Sequence, residues 1–264
     1  MQNHGASQEK ASAVVLDAKD IRKAYGHVVA LNGAGLTVRA GEVVALIGDN
    51  GAGKSTLVKA LSGVIQPDSG TIEVGGRVVS IPDPDAAAEL GIGTVYQDLA
   101  LAPDLGSPAN FYIGRELVHG GPIGRLVGLL DRRQMRAKTR ESLELLGVRL
   151  KDLDAPVSSL SGGQRQSLAI VRAVTWAEKV VFMDEPTAAL GVVQTSRVLE
   201  LIDRVRASGI GVVLVSHNMP QVLEIADRIE VLRLGTRVAR FARGEATGED
   251  LIAAMTGVGM RGAA

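Results

Sequence analysis

The sequence predicts an α/β fold: a mostly parallel β-sheet covered by helices on both faces, preceded by an antiparallel β subdomain and interrupted by a helical insertion. Three observations point to this fold. In the C-terminal half, continuous apolar strands alternate with helices, which is typical of a parallel sheet buried on both faces. Near residue 50, a β-branched strand runs into a glycine-rich loop and then a helix. Before that loop, short strands are punctuated by glycine.

The N-terminal part is expected to consist of short strands, because β-branched runs are separated there by glycine. Thr71–Val74 and Arg77–Val79 flank Gly75-Gly76, and this spacing predicts a hairpin with a two-residue turn. Further strands are expected at Val14–Leu16, Leu36–Val38, Glu42–Ile47 and Ile92–Tyr96.

Residues 99–160 differ in character and predict a mostly helical insert. Met135, Leu143 and Leu146 fall on one side of a helix expected over Asp131–Leu146. The same helix carries a basic face, formed by Arg132, Arg133, Arg136, Lys138 and Arg140. We interpret this face as a solvated surface; nucleic-acid contact is the alternative, but no aromatic residues interleave with the basic ones.

After the insert, helices and strands alternate regularly. Helices are expected at Gln164–Thr175, Val193–Ala207 and Met219–Ala226, and strands at Val180–Met183 and Ile210–Ser216. Because strands that are apolar throughout lie between helices, both faces of their sheet must be covered.

Composition narrows the function classes. The chain has 264 residues, 46% of them hydrophobic, a net charge of +0 and no cysteine. Disulfide scaffolds, thiolate zinc sites and thiol catalysis are therefore excluded, and bulk attraction to nucleic acid or anionic lipid is not expected. The longest stretch without a charged residue, Ala207–Leu223, contains several polar residues and predicts no membrane span. The polar first ten residues predict no secretory signal, so a cytoplasmic protein is expected.

The strongest motif is a phosphate-binding loop between a strand and a helix. Gly48-Asp49-Asn50-Gly51-Ala52-Gly53-Lys54-Ser55-Thr56 follows Val43–Ile47 and precedes a helix expected over Leu57–Ser62. This is G-x-x-x-x-G-K-[ST] in the context that the motif requires. Backbone N–H groups of such a loop surround phosphates, the lysine neutralises the β- and γ-phosphates, and the first hydroxyl ligates Mg²⁺. Thr56 is expected to assist at the α-phosphate.

A second motif places two carboxylates at the end of a buried strand. Val180–Met183 ends in Asp184-Glu185-Pro186, at the sheet edge where ligands bind in open α/β sheets. Asp184 therefore suits Mg²⁺ coordination, and Glu185 suits polarisation of an attacking water. The alternatives are a buried ion pair at Asp184 and an exposed loop acid at Glu185.

The run Leu160-Ser161-Gly162-Gly163-Gln164 opens a helix about fifteen residues before the acidic strand, and is another anion-binding loop. LSGGQ between a phosphate loop and an Asp-Glu-Pro strand resembles the signature of ATP-binding cassette (ABC) ATPases. The resemblance extends from about Val14 to Arg240. It implies a P-loop NTPase (RecA-like) fold with ATP and Mg²⁺ as ligands. It also implies a single ABC ATPase domain over residues 13–258, a flexible tail at residues 1–12 and a C-terminal tail at 259–264.

The resemblance also assigns roles to three residues outside these motifs. Tyr25 lies where the family places the aromatic ring that stacks on adenine; a packing tyrosine is the alternative. Gln97 matches the glutamine that contacts Mg²⁺ and the attacking water and hinges the helical insert. His217 matches the histidine that contacts the γ-phosphate, although a lone histidine is more often structural.

Together, the expected catalytic residues are Lys54, Gln97, Glu185 and His217, and the expected metal ligands are Ser55, Gln97 and Asp184. The residues expected to bind the nucleotide are Tyr25, Gly48, Asp49, Asn50, Gly51, Ala52, Gly53, Lys54, Ser55, Thr56, Ser161, Gly162, Gly163 and Gln164.

In this family the signature loop binds the γ-phosphate of ATP held by the opposite subunit, so the resemblance implies a two-fold homodimer. One departure stands out. The family usually has a Ser-Ala-Leu-Asp loop after the acidic strand, whereas this chain has Ala188-Ala189-Leu190-Gly191. The carboxylate that communicates across the dimer is missing, which puts that communication in doubt.

Several runs resemble the ATPase subunits of bacterial monosaccharide importers, and the single cassette resembles the fructose-type members. These runs are Gln97-Asp98, the phosphate loop, Phe111–Glu116 and Ser216–Met219. The resemblance implies separate permease subunits, a sugar-binding protein acting indirectly, and a location on the cytoplasmic face of the inner membrane, with no nucleic-acid partner. Leu99, Leu101, Leu105, Phe111 and Tyr112 either form a groove for a permease helix or pack the insert. An importer of amino acids and a non-transport ABC ATPase are the alternatives.

Overall fold

The computed structural model describes residues 13–120 and 128–257. The tails expected at residues 1–12 and 259–264 lie outside the described residues. Within the described ranges, no helix combines the length and the apolar character that a membrane span requires.

The described residues form two sheets and a set of helices. The strands are β1 (Val14–Tyr25), β2 (Val28–Arg39), β3 (Val43–Ile47), β4 (Ser69–Val74), β5 (Arg77–Val79), β6 (Ile92–Val95), β7 (Val180–Asp184), β8 (Gly211–Val215), β9 (Arg228–Arg233) and β10 (Thr236–Ala242). The α-helices are α1 (Lys54–Leu61), α2 (Pro84–Glu89), α3 (Ser107–Tyr112), α4 (Arg132–Leu145), α5 (Gly162–Trp176), α6 (Val192–Ala207), α7 (Met219–Ile225) and α8 (Gly248–Thr256).

The smaller sheet is antiparallel, with the strand order β2-β1-β4-β5. The predicted hairpin around Gly75-Gly76 is confirmed, since Val74 pairs with Arg77. The strands predicted at Val14–Leu16 and Leu36–Val38 are too short, because β1 and β2 each span twelve residues. Several register shifts interrupt their pairing. These irregularities, and the polar residues between the apolar ones, obscured the length of the hairpin in the sequence.

The larger sheet has the order β10-β9-β3-β8-β7-β6 in the described residues. Every neighbouring pair is parallel except β9 and β10, so the predicted mostly parallel core is confirmed. Alternate residues of its strands enter opposite cores. In β7, Val181 and Met183 pack with α5, α6 and the insert, whereas Val180 and Phe182 pack with α1 and the smaller sheet. The sheet is therefore buried on both faces and exposes its carboxyl edge.

The insert is helical only in part. It contains α3, α4 and a 3₁₀ turn at Val157–Ser159, with irregular chain between them. Met135, Leu143 and Leu146 are buried on one side of α4, as predicted. The buried Asn110 side chain organises the preceding loop: its amide donates to the carbonyls of Ala102, Leu105 and Gly106, at 3.1 Å each. This single side chain replaces the backbone pairing that an irregular loop lacks.

Candidate active site at the carboxyl edge of the larger sheet

The phosphate-loop residues join β3 to the first turn of α1. Gly53 caps α1 with a φ of +102°, a conformation that side chains disfavour. A Cβ atom at this position would lie 2.7 Å from the carbonyl oxygen of Ala30 on β2. Asp49, Asn50, Gly51 and Ser55 are exposed around the loop. The local sequence therefore produces an open loop whose N–H groups can face a ligand at a helix N-terminus.

Lys54 lies across this loop and faces the acidic strand end. Its Nζ donates to the carbonyl oxygens of Gly48 at 2.8 Å and Asp49 at 3.0 Å. Burial lowers the pKa of Lys54, and the carboxylates of Glu185, Asp184 and Asp49 oppose this shift. The site therefore holds a partly desolvated cation, which interacts more strongly with an anion than an exposed lysine does.

Asp184 ends β7, and the Ser55 hydroxyl lies close enough to interact with its carboxyl group. Burial and the neighbouring Glu185 raise the pKa of Asp184, while Lys54, Lys59 and the nearby Ser55 hydroxyl lower it. A carboxylate and a hydroxyl are oxygen ligands of the kind Mg²⁺ takes together with phosphate oxygens. The described residues include no group of three or more His, Cys, Asp or Glu side chains that could hold a metal on its own. This donor set therefore fits Mg²⁺ shared with a nucleotide.

Glu185 and His217 are in direct contact. Nδ1 of His217 lies 2.8 Å from Oε1 of Glu185, with the histidine side chain 75% exposed and the glutamate side chain 16% exposed. Asp184 pairs with Val215, so β7 and β8 end together. Glu185 has a φ of +51°, and its N–H donates to the carbonyl of Val215 at 2.9 Å. The strand ends thus aim both side chains at the same side of the sheet edge.

Gln97 follows β6 on the same edge and is exposed. Val95 of β6 pairs with Met183, which directly precedes Asp184. Two residues beyond Gln97, Leu99 and Ala100 have φ values of +60° and +45°. Because residues with a Cβ rarely adopt this region, the chain after Gln97 is held in a strained turn.

Tyr25 lies at the end of β1 and is 49% exposed. Nζ of Lys23 lies 5.8 Å from the centre of its ring and 2.7 Å from Oδ1 of Asp68. The same hairpin places Ala30 against Gly53. Tyr25 is therefore an exposed aromatic ring on the hairpin that adjoins the phosphate loop.

The loop Ser161–Gln164 is built separately, at the N-terminus of α5. Ser161 and Gln164 form a reciprocal capping box, with bonds of 3.0 Å and 3.3 Å. A Cβ on Gly163 would lie 2.9 Å from Cγ of Gln194, so α6 packs closely against the loop. Within residues 13–120 and 128–257, no hydrogen bond or ion pair joins this loop to the phosphate loop.

These features agree with comparisons to known proteins. A sequence profile of the family described as ABC transporter matches residues 31–188. This chain belongs to the ABC transporter family. Two similar relatives are the fructose import ATP-binding protein FrcA of Rhizobium meliloti and the xylose/arabinose import ATP-binding protein XylG of Sulfolobus acidocaldarius. FrcA is 46% identical, with 94% of this chain and 95% of the relative covered. For XylG the identity is 42%, with 92% and 94% covered.

Further relatives match in half of their length, and solved structures share the fold. The ribose import ATP-binding protein RbsA 2 of Escherichia coli O157:H7 is 39% identical over 93% of this chain but only 47% of its own length. The ADP conformation of MJ1267, an ATP-binding cassette of an ABC transporter, superposes with a TM-score of 0.77 at 26% identity. It covers 93% of this chain and 96% of that protein. The ABC fold inferred from the motifs is confirmed.

The ABC cassette also contains site contacts that sequence reasoning missed. The hydroxyl of Thr187, two residues after Glu185, donates to Oε1 of Gln221 at 2.6 Å. Gln221 lies on α7, one turn after His217, so this bond is a second link between the two strand-end loops. Neither Thr187 nor Gln221 belongs to a recognisable sequence motif, and the two residues meet only in the folded chain.

The expected departure near Gly191 has a structural consequence. Gly191 caps α6 without a side-chain hydrogen bond, and the next two residues, Val192 and Val193, are exposed. Leu190 lies against Gly162 of the signature loop. An apolar surface therefore adjoins the signature loop where the family usually has a carboxylate.

Proposed function

We propose that this ABC cassette is the ATP-hydrolysing subunit of an importer that takes up a monosaccharide through a separate membrane permease. The observation that carries the proposal is the sheet edge where Lys54, the neighbouring Ser55 and Asp184, and the Glu185–His217 pair meet. The names of the fructose, xylose/arabinose and ribose import relatives support the substrate class.

ATP is proposed to bind with its phosphates in the loop of residues 48–56. The loop N–H groups and the positive end of α1 would contact phosphate oxygens, and Lys54 would exchange its bonds to Gly48 and Asp49 for the β- and γ-phosphates. Tyr25 would stack on adenine from the adjoining hairpin. The charge of the bound phosphates would also favour the protonated form of Lys54.

The neighbouring Ser55 and Asp184 would hold Mg²⁺, with Gln97 approaching from the adjacent strand. When bound, the ion supplies charge neutralisation at the β- and γ-phosphate oxygens. The burial of Asp184 leaves its carboxylate with few competing partners, so a cation would favour the ionised form that burial disfavours.

Glu185 is proposed to orient the attacking water and accept its proton. The water oxygen forms a bond to the γ-phosphorus while the bond from that phosphorus to the β–γ bridging oxygen breaks, leaving ADP and inorganic phosphate. As an imidazolium, His217 would donate Nδ1–H to the carboxylate of Glu185 and Nε2–H to the γ-phosphate. Lys54 stabilises the charge on the leaving oxygen.

The working unit is proposed to be a homodimer bound to permease subunits on the cytoplasmic face of the inner membrane. A cavity of about 300 Å³ lies between α2 and α3 and is lined in part by Ala100, Phe111 and Ile113. Of the five residues expected to form a groove for a permease helix, Phe111 lines this cavity. Tyr112 is 3% exposed and packs edge-on to Trp176 at 5.6 Å, which favours ordinary core packing for that residue.

Uptake measurements in a strain lacking this chain test the proposal. Labelled monosaccharides and amino acids are offered to the strain carrying the wild type, Lys54→Ala or Lys59→Ala. Lys59 is the matched control because it is an exposed lysine of the same helix. We expect uptake of a monosaccharide to be lost and to be restored by the wild type and Lys59→Ala only. Loss confined to an amino acid would indicate the alternative importer, and unchanged uptake of every solute would indicate a non-transport ATPase.

A further inference from the structure

Arg172 connects α5, the helix that follows the signature loop, to the strained turn after Gln97. It lies on α5, about two turns after the loop Ser161–Gln164. Its two terminal nitrogens donate to the carbonyl oxygens of Ala100 at 2.7 Å and Leu99 at 2.8 Å. Burial lowers the pKa of Arg172, because desolvation disfavours its charged form.

The turn that Arg172 holds contains two consecutive non-glycine residues in the left-handed region. Leu99 and Ala100 have φ values of +60° and +45°, and the N–H of Leu99 donates to the carbonyl of Tyr96 at 3.0 Å. This last bond closes the chain around Gln97 and Asp98. Because left-handed backbone is unfavourable for such residues, the turn needs an external partner to persist.

The shape of the guanidinium suits this task. Its planar fork donates to two neighbouring oxygens at once, whereas an ammonium group is a point donor on a flexible stem. A lysine would keep the charge but could not hold both carbonyls in a fixed relation. The interaction therefore depends on arginine geometry and not on charge alone.

We propose that Arg172 is the positioning residue for Gln97: by clamping the turn at Leu99 and Ala100 to α5, it makes the signature loop and Gln97 move as one body. The inference rests on the proposed ATPase function. The far end of α5 extends the connection to the insert, where Trp176 contacts Tyr112 edge-on and lies 5.0 Å from the guanidinium of Arg115. Gln97, the signature loop and α3 are thus attached to a single helix.

The test is a double-mutant cycle of Arg172→Lys and Gln97→Ala in the full chain, with MgATP as the probe. Arg172→Lys should lower kcat by on the order of tenfold or more while KM stays within about twofold, because a group near the reacting atoms is displaced and binding is not removed. The double variant should be no slower than Gln97→Ala alone, since Arg172 acts through Gln97.

Two further readouts separate positioning from general stability. Trp176 is the single tryptophan of the sequence, so its emission reports on this end of α5. Addition of MgATP should change the emission in the wild type and not in Arg172→Lys. Arg204→Lys is the matched control: Arg204 of α6 also donates to a backbone carbonyl, that of Leu146 at 2.8 Å, and should keep the wild-type kcat and emission change.

If Arg172→Lys folds poorly, Ala100→Val tests the same turn by changing one of its own residues. A β-branched residue is strongly disfavoured at a φ of +45°, so this variant should show the same fall in kcat with Arg172 intact. The positioning role would be overturned if the losses in kcat from Arg172→Lys and Gln97→Ala were additive, or if a folded Arg172→Lys kept the wild-type kcat. Either result would leave the proposed ATPase function unaffected. A wild type without Lys54-dependent ATPase activity would overturn the proposed function and this inference together.

Discussion

At the scale of single residues, Glu185 is held from two directions. Its backbone is in the left-handed region and is bonded to Val215, while its carboxylate is bonded to His217. A strained residue with a fixed carboxylate at a ligand-binding edge is typical of a preorganised catalytic group. Gln97, by contrast, is exposed, and only its backbone turn is anchored.

Replacing Glu185 with glutamine tests its role as the base. Glu185→Gln keeps the shape but removes the proton acceptor, so ATP hydrolysis should fall by roughly 10²–10⁴-fold while ATP binding survives. MgATP should then trap a dimer, which size-exclusion chromatography detects. Glu178→Gln is the control, since Glu178 is exposed just before the opposite end of β7. A variant that stays monomeric with MgATP, or hydrolyses it at the normal rate, would contradict the assignment.

Asp68, which pairs with Lys23 near Tyr25, gives a pH-dependent prediction. The bond from Lys23 and the N–H of Ala24 lower the pKa of Asp68 from its ordinary 3.8. A lowered pKa in the folded state means that the stabilisation is present above the unfolded-state value and is lost as the pH falls through the folded-state value. Asp68→Asn should therefore unfold at a lower urea concentration than the wild type at pH 7, and the difference should shrink as the pH falls below about 5. If the difference in urea midpoint between the wild type and Asp68→Asn is the same at pH 7 and at acidic pH, the ionised carboxylate of Asp68 does not stabilise the fold.

At the scale of secondary-structure elements, α4 contains a buried hydroxyl without a partner. Thr139 is fully buried, and its Oγ1 makes no hydrogen bond. A buried donor without a partner loses its hydration and receives no bond in exchange. The helix therefore carries a destabilising group on its core face.

Thr139→Val should raise the free energy of unfolding by about 1 kcal/mol, because the methyl group replaces an unsatisfied hydroxyl of the same size. Urea denaturation measures the change. Thr175→Val is the matched control on α5: the hydroxyl of Thr175 already donates to the carbonyl of Val171 at 2.7 Å. That control should show no gain. If Thr139→Val is less stable than the wild type, its hydroxyl is satisfied in solution.

The elements that the sequence predicted share strong local signals. The phosphate loop, β7 and α5 combine apolar runs with glycine or capping residues, and the structure has all three within a few residues of the expected positions. The pattern predicted no element after Ala226, although β9, β10 and α8 follow. Glu230 and four arginines interrupt the apolar pattern there, and Glu230 is fully buried among arginines. Tertiary ion pairing, which one sequence does not reveal, overrides the local pattern.

Some missed elements did have signals. Asp83 and Pro84 are an N-cap and a first-turn proline for α2, and Thr247 with Asp250 forms a capping box for α8. For the site, the motifs indicated Glu185 and the family resemblance indicated His217, but their contact required the pairing of β7 with β8. Arg172 could not be found from the sequence, because its partners are backbone carbonyls about 70 residues earlier, whose orientation depends on the fold.

At the scale of the whole molecule, we predict that the two anion-binding loops form a site shared between two copies of the chain. Within the described residues, the capping box of Ser161 and Gln164 makes no bond to the phosphate loop. The exposed Val192 and Val193 beside the signature loop also leave an apolar surface for a second copy. If two copies associate about a two-fold axis, each phosphate loop would meet the signature loop of the other copy.

Mixed dimers of Lys54→Ala and Ser161→Arg test this arrangement. Each variant alone should be inactive, the first by losing the phosphate-binding cation and the second by blocking the signature loop with a bulky side chain. If the loops pair between copies, a mixed dimer has one site with both lesions and one intact site. Random mixing should then restore about a quarter of the wild-type sites, since half of the dimers are mixed and half of their sites are intact. Dimers carrying two different affinity tags, isolated with both, verify the composition before ATPase activity is measured.

Two controls make the outcome decisive. Ser161 also caps α5, so Ser161→Arg should cost about 1 kcal/mol of stability, and its melting curve must show that it is folded at the assay temperature. A dimer of the wild type with the double variant Lys54→Ala, Ser161→Arg has one lesion in each site if the loops pair between copies, and one intact site if they pair within a copy. If this dimer hydrolyses ATP and the verified mixed dimer does not, the shared site is contradicted. An active mixed dimer, together with an inactive dimer of the wild type and the double variant, requires pairing between copies. Only that arrangement places both lesions of the mixed dimer in one site.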